Sequence, residues 1–159
     1  MYDIKRIEYY VKHPEEIRIS KKWMRQILYC SKEGRKICKG FCCKHIRNGT
    51  YVQFKKSEID KLPKEYHKYF DKDGILKVEN NTCPLIEYCV QHPEIRPLDC
   101  RLPPLTIDKN GILRIQYGAI CGGCPNFKKG DKPVYVTMKE DIIHIFGQEF
   151  YDRLVEELI

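Results

Sequence analysis

The spacing of the cysteines constrains this chain more than any other feature of its sequence. Cys38, Cys42 and Cys43 fall within six residues, and two of these three are adjacent. The other six cysteines lie at wider, uneven intervals: Cys30, Cys83, Cys89, Cys100, Cys121 and Cys124. Thiolates at uneven spacings among Gly and Pro residues are typical of soft-metal ligation. The sequence therefore predicts a chain that is organised around bound metal.

The expected compartment favours metal ligation over disulfide bonding. Residues 1–6 carry charges where a signal peptide needs its apolar stretch, which predicts a cytoplasmic protein. The sequence has no run of about 18 apolar residues, so no transmembrane helix and no membrane partner are expected. Disulfides are rare in reducing compartments, and an odd number of cysteines leaves one thiol over in any complete disulfide framework.

The net charge gives little support for a nucleic-acid partner. The formal value of +7 counts every cysteine as neutral, whereas metal ligands are thiolates. A tetrathiolate zinc site or an oxidised four-thiolate iron–sulfur cluster carries roughly −2, so two such sites would lower the net charge to about +3. Lysines are spread along the whole chain, and many lie beside Glu or Asp. This pattern favours a solvated surface over a nucleic-acid-binding face.

The length and the local patterns predict one small α+β domain covering residues 1–159. Its irregular, cysteine-rich metal-binding core is expected at about 36–126, between an N-terminal segment 1–35 and a C-terminal helical segment 137–159. Short strands are expected at 1–13, 51–54, 75–78, 105–108 and 112–117. Lys109, Asn110 and Gly111 make the last two a hairpin.

Capping patterns predict where the helices begin. Ser20 is the expected N-cap of a helix that runs to about residue 29 and has Trp23 on its apolar face. Ser57 is the expected cap of a second helix. Thr137 and Glu140 form a capping-box pattern ahead of an apolar stripe that resumes after residue 147. Five prolines within residues 83–104 argue against long regular elements there, apart from a turn or two at 85–89.

Cys121 and Cys124 form the strongest local metal-binding pattern. A Cys-Gly-Gly-Cys turn places two sulfurs on one side of a tight loop, and its glycines let backbone N–H groups turn toward them. The adjacent Cys42 and Cys43 leave two arrangements open: they face two metals, or they curl round one. Cys30 lies at the expected end of an apolar helix and is the best candidate for a non-ligand.

The ordered series of these residues resembles the YkgJ-type cysteine-cluster family, which is described as zinc- or iron-chelating and has a CxxxCC signature. The resemblance covers about residues 36–126. It rests on the run from Cys38 to Cys43, then Cys83-Pro84-Leu85-Ile86, Cys89, and a run from Arg96 to Pro103 that contains Cys100 and Arg101. Cys121 falls where the family tends to have its last cysteine.

The resemblance implies metal binding, with a four-iron (4Fe-4S) iron–sulfur cluster favoured over zinc as the alternative or a second site. A flagellin lysine methylase group with the same cysteine pattern implies methyl transfer that involves such a cluster. The expected ligands are Cys38, Cys42, Cys43, Cys83, Cys89, Cys100, Cys121 and Cys124. Arg96 and Arg101 flank Cys100, where they either offset thiolate charge and hold an anion, or form structural ion pairs.

Two function classes follow from this ligand set. The first is a cytoplasmic iron–sulfur protein that serves redox or group-transfer chemistry, since eight cysteines without histidine fit cluster ligation. The second is a binding module with structural tetrathiolate zinc sites and a protein or RNA partner. A thiol–disulfide enzyme needs a single reactive thiol, and that class does not explain so many cysteines.

Overall fold

The computed structural model describes residues 4–28, 52–78, 80, 82–92, 95–116 and 130–159, and only the backbone of Ile4, Val90 and Asp99. The chain forms two compact units: a first unit of Met1–Gly34 with Leu102–Ile159, and a second unit of Arg35–Arg101. Helices and a small mixed sheet are both present, which confirms the α+β class. The one-domain organisation expected from the length stays a prediction.

The first unit is built on a three-stranded sheet. Its strands are β1 (Arg18–Ile19), β2 (Leu105–Ile107) and β3 (Ile112–Ile115), in the order β1-β3-β2. β2 and β3 pair antiparallel, and β1 joins β3 in parallel with Arg18 opposite Ile112. The turn between β2 and β3 is closed by Asp108, whose Oδ1 accepts hydrogen bonds from two backbone N–H groups at 2.8 and 3.0 Å. The predicted hairpin is therefore confirmed.

Five of the helices belong to the first unit. They are α1 (Ile4–Lys12), α2 (Lys21–Met24), α6 (Val134–Thr137), α7 (Lys139–Phe146) and α8 (Gln148–Leu158). The apolar faces of these helices and of the sheet bury a large aliphatic and aromatic core, with Leu28, Leu113, Ile142 and Leu154 at 0–1 % exposure. The Arg153 guanidinium on α8 donates to the carbonyls of Pro14 and Ile17, each at 2.9 Å.

The N-terminal segment is a helix, so the strand predicted within residues 1–13 is wrong. Its apolar residues alternate in part, but Ile4, Ile7 and Val11 also recur at the three- and four-residue intervals of one helix face. Ile7 is fully buried, whereas Tyr9, which the strand pattern would place on the same face, is 49 % exposed. Tertiary burial along the helical stripe therefore decides the conformation.

The helix that begins after Ser20 is correctly started and shorter than predicted. The Ser20 hydroxyl accepts a hydrogen bond from the Trp23 N–H at 3.4 Å, which confirms the N-cap. The helix ends at Met24, because the next backbone groups bond to another segment. Ile27 forms a bridge with Pro133, and the Gln26 carbonyl accepts from the Val134 N–H at 2.8 Å.

The C-terminal helices keep their predicted apolar stripes but not the predicted cap. Thr137 ends α6 and its hydroxyl donates to the carbonyls of Leu28 and Val134, so the Thr137–Glu140 capping box is wrong. Met138 is the N-cap of α7. The stripe resumes after Gly147 as predicted, with Phe150 and Leu154 buried on α8.

The second unit contains short elements around a smaller core. Its elements are α3 (Lys56–Asp60), a 3₁₀ helix (Lys64–Tyr69), α4 (Ile86–Gln91) and α5 (Leu98–Arg101). Lys55 rather than Ser57 is the N-cap of α3, because Glu58 Oε1 accepts from the Lys55 N–H at 2.8 Å. The strands predicted at 51–54 and 75–78 are reduced to single bridges between Gln53 and Ile75 and between Phe70 and Leu76.

The helices in the described part of the chain are short, and none of them has the length and apolar character needed to span a bilayer.

Candidate metal centre

Three of the eight predicted ligands lie in the part of the chain that the structure describes. These are Cys83, Cys89 and Cys100, and each carries a reduced thiol. The other five fall outside the described residues: Cys38, Cys42, Cys43, Cys121 and Cys124. Cys30, the predicted non-ligand, also falls outside them.

Cys83 and Cys89 flank the start of α4 and face the same core. The Cys83 carbonyl accepts a hydrogen bond from the Ile86 N–H at 3.3 Å, which places Cys83 in the turn that leads into the helix. The Cys89 N–H donates to the Leu85 carbonyl at 2.9 Å, one helical turn later. Cys83 is 6 % and Cys89 8 % exposed, beside the fully buried Leu85. The helix therefore brings together two thiols that are six residues apart in sequence.

Cys100 is placed by α5, the short helix that follows the proline-rich segment. The Pro97 carbonyl accepts hydrogen bonds from the N–H groups of Cys100 and Arg101 at 2.9 and 2.8 Å. Cys100 is half-buried and packs against the same core as Cys83 and Cys89. Three thiols that span 18 residues of sequence therefore contribute to one hydrophobic cluster.

The apolar part of this cluster is small and rich in aromatic rings. Its buried members other than cysteine are Val52, Phe54, Leu62, Leu76 and Leu85. Half-buried residues then pack against it: Ile59, Tyr66, Tyr69, Phe70, Tyr88 and Ile95. The Phe54 and Phe70 rings meet edge to face with centroids 4.9 Å apart. The thiols therefore lie in an environment that excludes much of the solvent.

Aromatic rings line one side of the cysteine-containing core. The rings of Tyr66 and Tyr88 have centroids 5.2 Å apart, and His92 stacks on Tyr88 at 4.3 Å. Desolvation raises the pKa of Tyr66, and the nearby carboxylates of Glu65 and Glu87 raise it further. Tyr66 therefore stays a neutral hydroxyl at physiological pH.

His92, the one histidine within the cysteine region, caps the end of α4. Its backbone N–H donates to the Tyr88 carbonyl at 2.9 Å, and its Nδ1 lies 3.1 Å from the same oxygen. This geometry assigns the Nδ1 proton to a backbone hydrogen bond. His92 therefore serves helix termination in the described structure, in agreement with a ligand set made of cysteines alone.

The two arginines of the predicted site flank α5. Arg96 precedes the helix, Arg101 ends it, and both are half-buried. A thiolate cluster in an apolar core needs positive charge or N–H donors nearby, because an uncompensated buried charge is costly. The position of both guanidinium-bearing residues beside Cys100 suits that requirement, and their role stays a prediction.

The sulfur spacing separates two kinds of metal site. In a tetrahedral zinc site with Zn–S bonds of about 2.3 Å, the sulfurs lie about 3.8 Å apart. Among the described residues only His13, Glu15 and Glu16 bring three ligand atoms within 4.8 Å of one another, so the three thiols do not all have this spacing. An iron–sulfur cluster places each thiolate on a different iron and so holds the sulfurs farther apart.

The group formed by His13, Glu15 and Glu16 is one that the sequence analysis missed. It surrounds the 3₁₀ turn Pro14–Glu16, and all three side chains are exposed. His13 Nδ1 lies 3.5 Å from Glu15 Oε1, and the Tyr9 hydroxyl donates to Glu16 Oε2 at 2.6 Å. That hydrogen bond raises the pKa of Tyr9, because the carboxylate favours the protonated phenol. The sequence signal was the His-Pro-Glu-Glu run, which reads equally as a solvated turn.

Comparisons with known proteins give no relative: no family model matches the chain, and neither the curated proteins nor the solved structures returned a significant match.

Proposed function

We propose that this chain is a cytoplasmic iron–sulfur protein of the YkgJ-type cysteine-cluster kind that serves redox or group-transfer chemistry. One observation carries the proposal: Cys83, Cys89 and Cys100, which the cysteine series nominates as ligands, share one hydrophobic cluster in the second unit. Chance placement of three nominated ligands in such a small core would be unusual, because the proline-rich sequence between them imposes no regular repeat.

The alternative for a buried cysteine is a plain core residue, since a thiol packs as a small apolar group. Two features support ligation instead. The second unit has a small apolar core for its length, and bound metal supplies the missing stabilisation in domains of this kind. Arg96 and Arg101 also flank the most exposed of the three thiols, where they would compensate thiolate charge.

The residues that would hold the cluster are four of the eight nominated cysteines, with Cys83, Cys89 and Cys100 among them. When bound, a 4Fe-4S cluster supplies one-electron redox chemistry or a Lewis-acidic iron for group transfer, for which methyl transfer is the example that the resemblance implies. The protein's own contribution is an environment of low dielectric: the rings of Tyr66, Tyr69 and Tyr88 shield the sulfurs from water and so tune the reduction potential.

Structural zinc is the second candidate, and it draws on a different observation. Cys83 and Cys89 are almost fully buried, as expected for an all-sulfur site that is closed to substrate. In that case the chain would be a binding module, and its partner would be a protein or RNA. The sulfur spacing argues against Cys83, Cys89 and Cys100 sharing one zinc ion, and so favours the cluster.

The experiment that tests the proposal is purification of the chain under anaerobic conditions, followed by quantification of iron, acid-labile sulfide and zinc. A 4Fe-4S protein is brown, absorbs broadly near ~400 nm, and contains about four iron and four sulfide per chain. A colourless preparation with zinc alone would favour the structural module. A preparation that holds neither metal would contradict both candidates.

A further inference from the structure

The surface of the first unit holds a basic patch that the proposed metal centre does not use. Residues 17–28 include Arg18, Lys21, Lys22 and Arg25 but no Asp or Glu, and residues 109–116 also lack acidic side chains. The fold brings these two segments together, because β1 pairs with β3 and α2 packs beside β3. Positive charge that is dispersed in the sequence as a whole is thereby concentrated here.

The strand register places two arginines on one face. Leu113 and Ile115 of β3 point into the core, so Ile112 and Arg114 point to the opposite face. Arg18 of β1 lies opposite Ile112 and is exposed. Cross-strand partners share a face, so Arg18 and Arg114 are diagonal neighbours on the outer side of the sheet.

The single tryptophan of the chain lies at the centre of this surface. Trp23 is half-buried on α2, which is anchored by the fully buried Met24. The Arg114 guanidinium carbon lies 4.5 Å and the Lys22 ammonium nitrogen 5.1 Å from the centre of the Trp23 ring. Sequence analysis predicted a core position for Trp23, whereas the structure leaves the ring partly accessible between cations.

These cations are not neutralised by carboxylates in the described part of the chain. The ion pairs found there involve His13 with Glu15 and Arg153 with Glu157, and neither includes Arg18, Lys21, Lys22 or Arg114. The only hydrogen bond that the Arg114 side chain makes there is to the Ile115 carbonyl. Arg25 is excluded from the patch, because its guanidinium donates to the Leu158 carbonyl.

We infer that Trp23 with Arg18, Lys21, Lys22 and Arg114 forms a binding surface for single-stranded nucleic acid. Every base offers a π face that stacks on an aromatic ring or a guanidinium plane, while Lys and Arg side chains bind the phosphates. The surface lacks the element needed to read a duplex, since α2 has four residues and cannot fill a major groove. A strand with splayed bases fits the combination of one ring and four cations.

The single tryptophan makes the inference directly testable in the full chain. Anaerobically purified protein would be titrated with a 12-nucleotide oligo(U), by anisotropy of the labelled oligonucleotide and by quenching of Trp23 fluorescence. The surface predicts saturable quenching and an affinity that falls steeply with salt, with a log–log slope of about −0.7 for each phosphate neutralised. Inorganic polyphosphate of similar charge should bind more weakly and should not quench in the same way.

Matched variants locate the surface. The double variant Lys21→Glu with Lys22→Glu should weaken oligo(U) binding by tenfold or more and reduce the salt slope by about 1 for each lysine lost. The control is Lys55→Glu with Lys56→Glu, an exposed lysine pair at the start of a short helix in the second unit, which should bind normally. Trp23→Leu should weaken binding by about fivefold or more while Trp23→Phe retains most of it, because stacking contributes about 1–3 kcal/mol for each base.

Four outcomes would overturn the inference. Oligo(U) at low salt might leave the anisotropy unchanged, or the two lysine double variants might bind equally well. Polyphosphate might match oligo(U) in affinity with no effect of Trp23→Leu, which would indicate a general polyanion surface. Vesicles containing anionic lipid might quench Trp23 where oligo(U) does not, which would indicate a membrane surface. Loss of bound iron affects none of these readouts, so the inference and the proposed metal function fail separately.

Discussion

The two units of this chain differ in what their cores are made of. Among the described residues, twelve large side chains are less than 2 % exposed, and only Leu85 of these belongs to the second unit. The first unit buries aliphatic and aromatic residues from five helices and a sheet, and none of its described buried residues is a cysteine. The second unit buries two cysteines, has a third half-buried, and closes its core with partly exposed tyrosines.

This difference assigns different sources of stability to the two units. Burial of apolar side chains contributes roughly 1.5–3 kcal/mol for each large residue, and the first unit has enough of them to fold without help. The second unit has few large buried side chains, and its strands are reduced to single bridges. We therefore expect the second unit to depend on bound metal and the first to be indifferent to it.

Metal removal should have the largest effect and should fall on one unit. Treatment with a strong chelator under anaerobic conditions is expected to abolish protection of backbone amides in 52–78 and 82–101, because unfolding follows loss of a structural metal site. Amides of β2, β3, α7 and α8 should keep their protection. Hydrogen exchange measured by mass spectrometry gives both readouts in one sample.

Re-addition of iron and sulfide or of zinc serves as the control, since only the metal that the site holds should restore protection. Equal loss of protection in both units would contradict the assignment of separate sources of stability.

A core truncation in the first unit should be the next largest effect. Leu154→Ala removes a fully buried side chain from α8 and should destabilise the first unit by about 2–5 kcal/mol. The cost should be the same with and without metal, because this core contains no predicted ligand among its described residues. Amide exchange in α7 and α8 measures it, with the exposed Glu156→Ala as the matched variant. A cost that disappears on chelation would show that the units are not independent.

A turn substitution should give the smallest effect and should sharpen the contrast. Gly74 closes the turn that begins at Asp71, has φ +78°, and has no room for a Cβ beside the Phe54 carbonyl oxygen. Gly74→Ala should destabilise the second unit by about 1–3 kcal/mol through backbone strain. Gly130 has a similar φ of +83° with open space around it, so Gly130→Ala should cost about 1 kcal/mol less than Gly74→Ala. Equal costs, measured by denaturant-dependent amide exchange, would remove the steric argument.

Local patterns predicted the parts of the fold whose cause is local. The β2–β3 hairpin follows from a turn whose Asp108 side chain bonds to nearby backbone, and the stripe of α8 follows from helical spacing. The Ser20 cap was found for the same reason. The fold class follows from such elements together.

The errors share a tertiary cause. A helix rather than a strand forms at Ile4–Lys12, because burial of Ile7 decides between two periodicities that the sequence satisfies equally. The Thr137 hydroxyl bonds to the Leu28 carbonyl, which is 109 residues away, instead of capping the next helix. Contacts at that separation cannot be read from a capping pattern.

The candidate site was predicted as a set of residues and not as an arrangement. Sequence spacing nominated Cys83, Cys89 and Cys100, but only the packing of α4 and α5 against one core brings them together. The acid-free surface around Trp23 was missed, because its two segments are about 90 residues apart and neither is unusual alone.

The metal content of a Cys89→Ala variant tests the central claim most directly. Alanine keeps α4 helical and removes only the sulfur, so iron per chain after anaerobic purification should fall to a small fraction of the unmodified value. Cys30→Ala, at the cysteine with the weakest claim to ligation, should retain full metal content. Amides of the first unit should stay protected in both variants. Full iron or zinc content in Cys89→Ala would contradict the account, because Cys89 would then be a core residue and not a ligand.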